Sequence, residues 1–218
     1  MKIILFQNEK SDSNFIEIFG LPKAGKTTLL NILTNRGRKK INFENFSSLK
    51  KIFLFLKYFI KHPVKTSYIF YKTNTKWEIM NGATLKDYSD FFRMRNSYLA
   101  AVFAKYEFLA SKKEVIYTDE FIFQSLFVIF QKLASEKDIL NALLRLPPSG
   151  KVLIIEEKDR ERYLRWKSIK NPARKLNEEY RMLWWKNTEA NYKTIKEVLN
   201  KKYMFSKKIL NPLKELPV

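Results

Sequence analysis

The sequence predicts a three-layer α/β/α fold around a parallel sheet, on three observations. Residues 14–35 read as a short apolar strand, a glycine loop and a helix. Further strand-like runs follow at 114–120 and 151–156, each set off by helical stretches, and strands alternating with helices imply parallel pairing through right-handed crossovers. The run Lys151-Val-Leu-Ile-Ile-Glu156 is apolar through its centre, as a strand covered on both faces must be.

In chain order, Lys2 to Phe6 reads as an edge strand and Phe15 to Phe19 as the first core strand. Thr28 to Leu33 places Leu29, Leu30 and Leu33 on one helical face, and Gly37 in the basic stretch 35–40 marks a helix stop. Residues 46–72 are apolar with periodic lysines, and His62-Pro63 splits them into two short helices. Ile52, Phe53, Phe55, Leu56, Phe59 and Ile60 cover a broad arc, which predicts packing against the rest of the protein with the lysines wet. The alternative for 49–72 is a basic amphipathic face on an anionic membrane surface. Asn81-Gly82 is a turn, and Phe91 to Ala110 a helix with Leu99, Val102, Phe103, Tyr106 and Leu109 inward. The second core strand, 114–120, ends in two carboxylates. Helices at 121–134 and 136–146, a loop at 147–150 and the third core strand follow. The charged remainder is helical to Lys202, with 198–199 and 203–210 returning to the core and 211–218 a tail. We read one domain, 1–218, with a helical substrate-side insert at 40–95 and a lid at 159–187.

Composition narrows the partners. With 42 basic against 22 acidic residues the net charge is +20, which calls for anionic ligands. The lysines are scattered and no nucleic-acid-binding module is recognisable, so nucleic acid is not favoured over small anions. The absence of cysteine excludes disulfides, thiolate metal sites and cysteine nucleophiles. Met1 to Phe6 is too short for a secretory leader, and no apolar stretch reaches the ~20 residues of a membrane span, so a cytoplasmic location is expected.

The chemistry concentrates in Gly20-Leu-Pro-Lys-Ala-Gly-Lys-Thr27, a full match to G-x-x-x-x-G-K-[ST]. Gly20 and Gly25 admit torsions that other residues resist. The backbone of Lys23, Ala24, Gly25 and Thr28 would cradle phosphates, at the partial positive charge of the following helix. Lys26 would reach the β- and γ-phosphates of ATP, and the Thr27 hydroxyl would ligate Mg²⁺. Pro22 to Gly25 with Thr27-Thr28 is also similar to the phosphosulfate loop of sulfotransferases, but Gly20 and Lys26 favour the triphosphate.

Asp119 and Glu120 end the second core strand beside that loop. Asp119 is the first choice for metal ligation or as a base, and Glu120 the water-polarising residue if the reaction is hydrolysis. Gln124 lies one turn beyond. Arg162 and Arg165 share a helical face after the third strand, with Arg160 and Arg174 near, and lid arginines can neutralise a transferring phosphoryl group. Arg93 and Arg95 are even candidates for a substrate-phosphate grip or plain surface charge, and His62, the only histidine, reads as structural.

Phe19 to Thr28, the arrangement from Tyr98 to Glu120, and Lys151 to Glu156 followed by Asp159 to Arg165 together resemble the thymidylate kinase-like branch of phosphate-loop nucleoside and nucleotide kinases. The resemblance covers about 1–35 and 95–200 and implies the phosphate-loop NTPase fold, ATP, Mg²⁺ and an anionic small-molecule acceptor. Where that family usually carries an Asp-Arg pair, this chain has Asp119-Glu120, which leaves the acceptor open among nucleotide, nucleoside, sugar and lipid headgroup. The competing expectation is an ATPase or switch acting on nucleic acid or a membrane.

Overall fold

A computed structural model describes residues 2–8, 14–41, 43–75, 85–156, 178–201 and 205–210. Within these, the strands are β1 (Lys2–Asn8), β2 (Phe15–Phe19), β3 (Lys39–Lys40), β4 (Ile116–Asp119), β5 (Lys151–Glu156) and β6 (Phe205–Leu210). The helices are α1 (Lys26–Asn35), α2 (Ser48–Lys61), α3 (Pro63–Thr75), α4 (Leu85–Ala110), α5 (Ile122–Ile129), α6 (Glu136–Leu143) and α7 (Glu178–Lys201). The chain is α/β, with one sheet in the order β3-β4-β2-β5-β1-β6.

The sheet is mostly parallel, as expected, but not wholly so. β3, β4, β2 and β5 run parallel. β1 pairs antiparallel with β5, and β6 antiparallel with β1. The expected edge strand is therefore one strand in from the edge, and the stretch expected only to return to the core supplies the outer strand.

Alternation along the strands splits the core in two. Ile16 and Ile18 of β2, Tyr117 of β4, and Leu153 and Ile155 of β5 pack with Leu29, Leu30 and Leu33 of α1. On the opposite face Phe15, Phe19, Ile116, Val152 and Ile154 meet residues of α3 to α7, among them Ile69, Phe103, Leu126, Ile139 and Ile195. Every residue of β2 is buried, as a central parallel strand requires.

Pro63 opens α3 directly after His62, and Ser47 caps α2 by accepting the Lys50 N–H, so the 46–72 segment is two helices. α2 packs mainly on α4 through Leu54 and Tyr58, whose ring stacks on Phe103 at 4.9 Å. Contrary to expectation, Ile52, Phe53, Leu56 and Ile60 are exposed. The helix expected over 121–134 stops at Ile129, with Phe130 extended. The cause lies on α7. The Asn191 amide donates to Phe130 O and Lys132 O and accepts the Ala134 N–H, while Asn187 donates to Gln131 O. Those bonds satisfy the backbone without helix. Of the proposed lid, 178–187 is the first part of α7, with Trp185 buried, and the rest lies outside the described residues, as does the 211–218 tail.

Replacing the buried Asn191 with Ala strands three backbone groups in a partly buried turn. Chemical denaturation should show a loss of about 2–4 kcal/mol, and a loss under about 0.5 kcal/mol would mean the 130–134 turn does not depend on this side chain.

Candidate functional site

β2 ends between β4 and β5, where the connections leave it in both directions: outward to β3 and back to β4, then across to β5. In open α/β sheets the crevice at the carboxyl ends of strands at such a point is where ligands bind. The 20–27 loop and the Asp119-Glu120 pair both emerge there, with Asp119 paired to Ile18.

The loop is shaped by three different constraints. Gly20 is needed for space: a Cβ there would lie 3.2 Å from the Ile155 carbonyl and 3.3 Å from the Ala24 methyl. Gly25 is needed for torsion, with φ 87° at the start of α1. Between them Ala24 donates to Leu21 O at 3.1 Å, closing a turn with Pro22 second and Lys23, at φ 65°, third. That is the pattern of a type II turn, which demands positive φ at its third residue. The expectation that both glycines supply unusual torsion thus holds for Gly25, while Lys23 carries the other left-handed position. α1 begins with neither a side-chain cap nor an acid of its own in its first turn, so any charge that compensates the helix's positive end must come from elsewhere.

Lys26 is buried at the head of α1, and its ammonium donates to the Gly20 carbonyl at 3.0 Å and the Leu21 carbonyl at 3.1 Å. Burial lowers its pKa, and Glu120 and Asp119 work against that shift. One residue on, the Thr27 hydroxyl donates to the Asp119 carboxylate at 3.4 Å, across 92 residues of sequence. The two offer hard oxygen donors side by side. Among the described residues no three His, Cys, Asp or Glu side chains gather. Magnesium, which usually takes one or two carboxylates and otherwise waters and phosphates, fits such a pair.

Three further groups were missed by the sequence reading. Glu17 lies in the middle of β2, fully buried, and its Oε1 accepts the N–H groups of Phe123 (2.8 Å) and Gln124 (3.4 Å) at the start of α5. Burial pushes its carboxyl up to about 8, against the opposing pull of those amides and of Lys105. Lys105 of α4 donates to the Asp119 carbonyl at 2.8 Å, and burial lowers its pKa. Tyr98, two helical turns before Lys105 on the same face, is raised well above its ordinary value by burial and by Glu120, Glu17 and Asp119. The hydroxyl of Tyr98, the Oε2 of Glu17 and the Oε1 of Gln124 are buried with no hydrogen-bond partner among the described residues. A lone acid in the apolar run Phe-Ile-Glu-Ile-Phe, and the 98/105 spacing, were the signals available.

The remaining candidates sort as follows. Lys26, Thr27 and Asp119 converge, and Glu120 adjoins them with φ 49°, a left-handed conformation unusual for a non-glycine. Lys23 and Thr28 are exposed at the loop, and Ala24 is buried within it. Gln124 belongs to the buried polar group rather than to an open helix surface. Arg95 is no substrate grip: it is buried and donates to Val128 O and Thr73 O, tying α4 to α5 and α3. Arg93 is exposed. His62 packs on Tyr58, ring centroids 4.8 Å apart and planes tilted by 50°, and ends α2, a structural role. Arg160, Arg162, Arg165 and Arg174 lie outside the described residues. No protein-family model, curated protein or solved structure matches the chain.

The position of Glu17 has a pH signature. Native Glu17 keeps its proton to about pH 8, whereas the unfolded chain releases it near the ordinary 4.5. The native state binds more protons between these values, so this group makes stability fall as pH rises through that window. Glu17→Gln keeps the acceptor for α5 and removes the titration. It should be close to neutral at pH 5 and stabilising by about 1–4 kcal/mol at pH 9. Equal pH profiles for the two proteins, read by thermal melts, would refute the assignment.

Proposed function

We propose that the chain is an ATP-dependent small-molecule kinase on a phosphate-loop NTPase fold, transferring the γ-phosphoryl group to a hydroxyl or phosphate acceptor. The observation that carries this reading is the Thr27–Asp119 hydrogen bond beside Lys26. A glycine loop matching the phosphate-binding motif, its lysine, its hydroxyl and a strand-end carboxylate stand at one point of the sheet. Each has a role in phosphoryl transfer.

The triphosphate lies along the 20–25 loop and the first turn of α1. Its oxygens compete for the Lys26 ammonium, which in this structure holds the Gly20 and Leu21 carbonyls. Thr27 and Asp119 are the residues that would hold Mg²⁺, which would supply neutralisation of the triphosphate's charge. The acceptor oxygen forms a bond to the γ-phosphorus as the bond from that phosphorus to the β–γ bridging oxygen breaks and ADP leaves. The acceptor's proton passes to the carboxylate of Asp119 or Glu120. Lys105 fixes the end of β4 by holding the Asp119 carbonyl. Arg162 and Arg165 are the lid groups this reading assigns to the transferring phosphoryl. Tyr98 and Gln124, with buried polar atoms unsatisfied among the described residues, are its candidates for recognising the acceptor.

A second reading, hydrolysis by an ATPase or switch, is favoured by one observation. Glu120 directly follows the Asp119 carboxylate in a conformation that costs energy to hold, and such strain gathers at working residues. A water oriented by Glu120 would then replace the acceptor.

ADP release measured with ATP alone and with a panel of nucleotides, nucleosides, sugars and nucleic acids separates the two. The kinase reading expects release to depend on a small acceptor, and stimulation by nucleic acid alone would overturn it. Lys26→Ala should lower turnover by at least about 100-fold. Unchanged turnover in that variant would defeat both readings. With the acceptor found, Tyr98→Phe should raise its KM by about 5–30-fold while leaving the KM for ATP unaltered, the scale of one lost hydrogen bond. An equal rise in both would place Tyr98 elsewhere.

A further inference from the structure

The outer face of α2 is apolar. Leu49 is 80% exposed, Ile52 54%, Phe53 66%, Leu56 48% and Ile60 76%, and Val64 at the head of α3 is 81% exposed. Their spacing of three and four residues makes one stripe along a helix of 14 residues, about 21 Å long. The inward residues Leu54 and Tyr58 are each two positions from Leu56, about 200° around the axis, so the stripe lies opposite the face packed on α4.

The charge beside the stripe selects the partner. Residues 48–75 contain six lysines and no acid. Lys57 and Lys61 share one carboxylate, that of Glu107 on α4, at 3.1 and 2.5 Å, and stay about half exposed. The pair keeps a net positive charge at the stripe's margin. A second copy of the chain would bring another set of lysines to this face and double the net charge of +20 carried by each chain, which opposes self-association. An anionic bilayer offers hydrocarbon for the stripe and phosphates for the lysines, the arrangement of an interfacial helix. No helix among the described residues is long and apolar enough to cross a membrane, so α2 has the character of a helix that lies in the interface.

We propose that α2 docks the chain on an anionic lipid surface, with Leu49, Ile52, Phe53, Leu56 and Ile60 entering the headgroup–acyl boundary and Lys57, Lys61 and Lys65 facing the lipid phosphates. The docking rests on α2 and the head of α3, independently of what the 20–27 loop holds.

Flotation of the full chain with vesicles tests it. The wild type should float with phosphatidylcholine vesicles containing about 30% phosphatidylserine, and not with pure phosphatidylcholine. The triple variant Ile52→Gln/Phe53→Gln/Leu56→Gln should bind at least about tenfold more weakly with an unchanged melting temperature, because these side chains are already in water. Lys65→Gln should weaken binding by about fivefold. In the Phe53→Trp variant, addition of anionic vesicles should shift emission to the blue beyond any wild-type change. A wild type that ignores anionic vesicles, or a triple variant that binds them equally, overturns the proposal. So does a wild-type dimer in sedimentation that the triple variant converts to monomer without any vesicle binding.

Discussion

The bond between the Glu17 carboxyl and the amides of Phe123 and Gln124 is the constraint on which the site's geometry depends. β2 is buried on both faces, and an ionised carboxylate placed there without partners would cost far more than the domain's net stability. Two features remove that cost. The carboxyl is pushed up to about 8, so it is largely neutral at physiological pH, and its Oε1 takes the place of a helix cap. Phe121, at the cap position of α5, contributes no side-chain hydrogen bond of its own. β2 and the start of α5 are thereby fastened together. Only Glu120 and Phe121 remain to connect β4 to a helix whose first turn is already fixed. That tight path gives a reason for Glu120 to sit at φ 49°. The acid pair is aimed from below by a side chain that never touches it.

Charge balance around the loop follows from the same burial. Lys26 and Lys105 both lose basicity through desolvation, and in both the acids Asp119, Glu120 and Glu17 work in the opposite direction. Carbonyls rather than carboxylates are the hydrogen-bond partners of each ammonium: Gly20 and Leu21 for Lys26, Asp119 for Lys105. A carbonyl holds an ammonium in place while leaving its charge largely uncompensated. On the proposed reading, an incoming polyanion meets a lysine that no carboxylate has neutralised, and draws it from the Gly20 and Leu21 carbonyls.

Much of this was legible in the sequence, because the elements involved are local. The strand–loop–helix at 15–35 is specified by residues within 20 positions of one another. The break at Pro63 follows from the ring's own chemistry, and Asp119 from its place at the end of an apolar strand. What escaped was set by distant partners. Glu17 meets its amides 106 and 107 residues away. The end of α5 is decided by Asn187 and Asn191, more than 50 residues downstream. Arg95 was read evenly as a substrate-phosphate grip or surface charge because nothing local reveals that it bonds the Thr73 and Val128 carbonyls. The arc over 52–60 was read as buried because periodicity reports that a face is apolar and not what covers it.

The layering explains why that arc stays open. α1 covers one face of the sheet, while residues of α3 to α7 supply the core on the other. α2 rests mainly on α4 rather than on the sheet, and so stands in a further layer outward. A helix in that position needs apolar residues only toward its support. Leu54 and Tyr58 meet that need, with Phe55 partly buried beside them. Glutamine or lysine at 49, 52, 53, 56 and 60 would serve α2 as well and would spare the protein an exposed apolar stripe, normally a liability for solubility. Folding therefore gives no reason for the stripe, and the excess of lysines over the single Glu107 carboxylate beside it is what the proposed anionic surface would answer. The kinase proposed for the 20–27 loop explains neither feature, which is why the outer face of α2 calls for a function of its own.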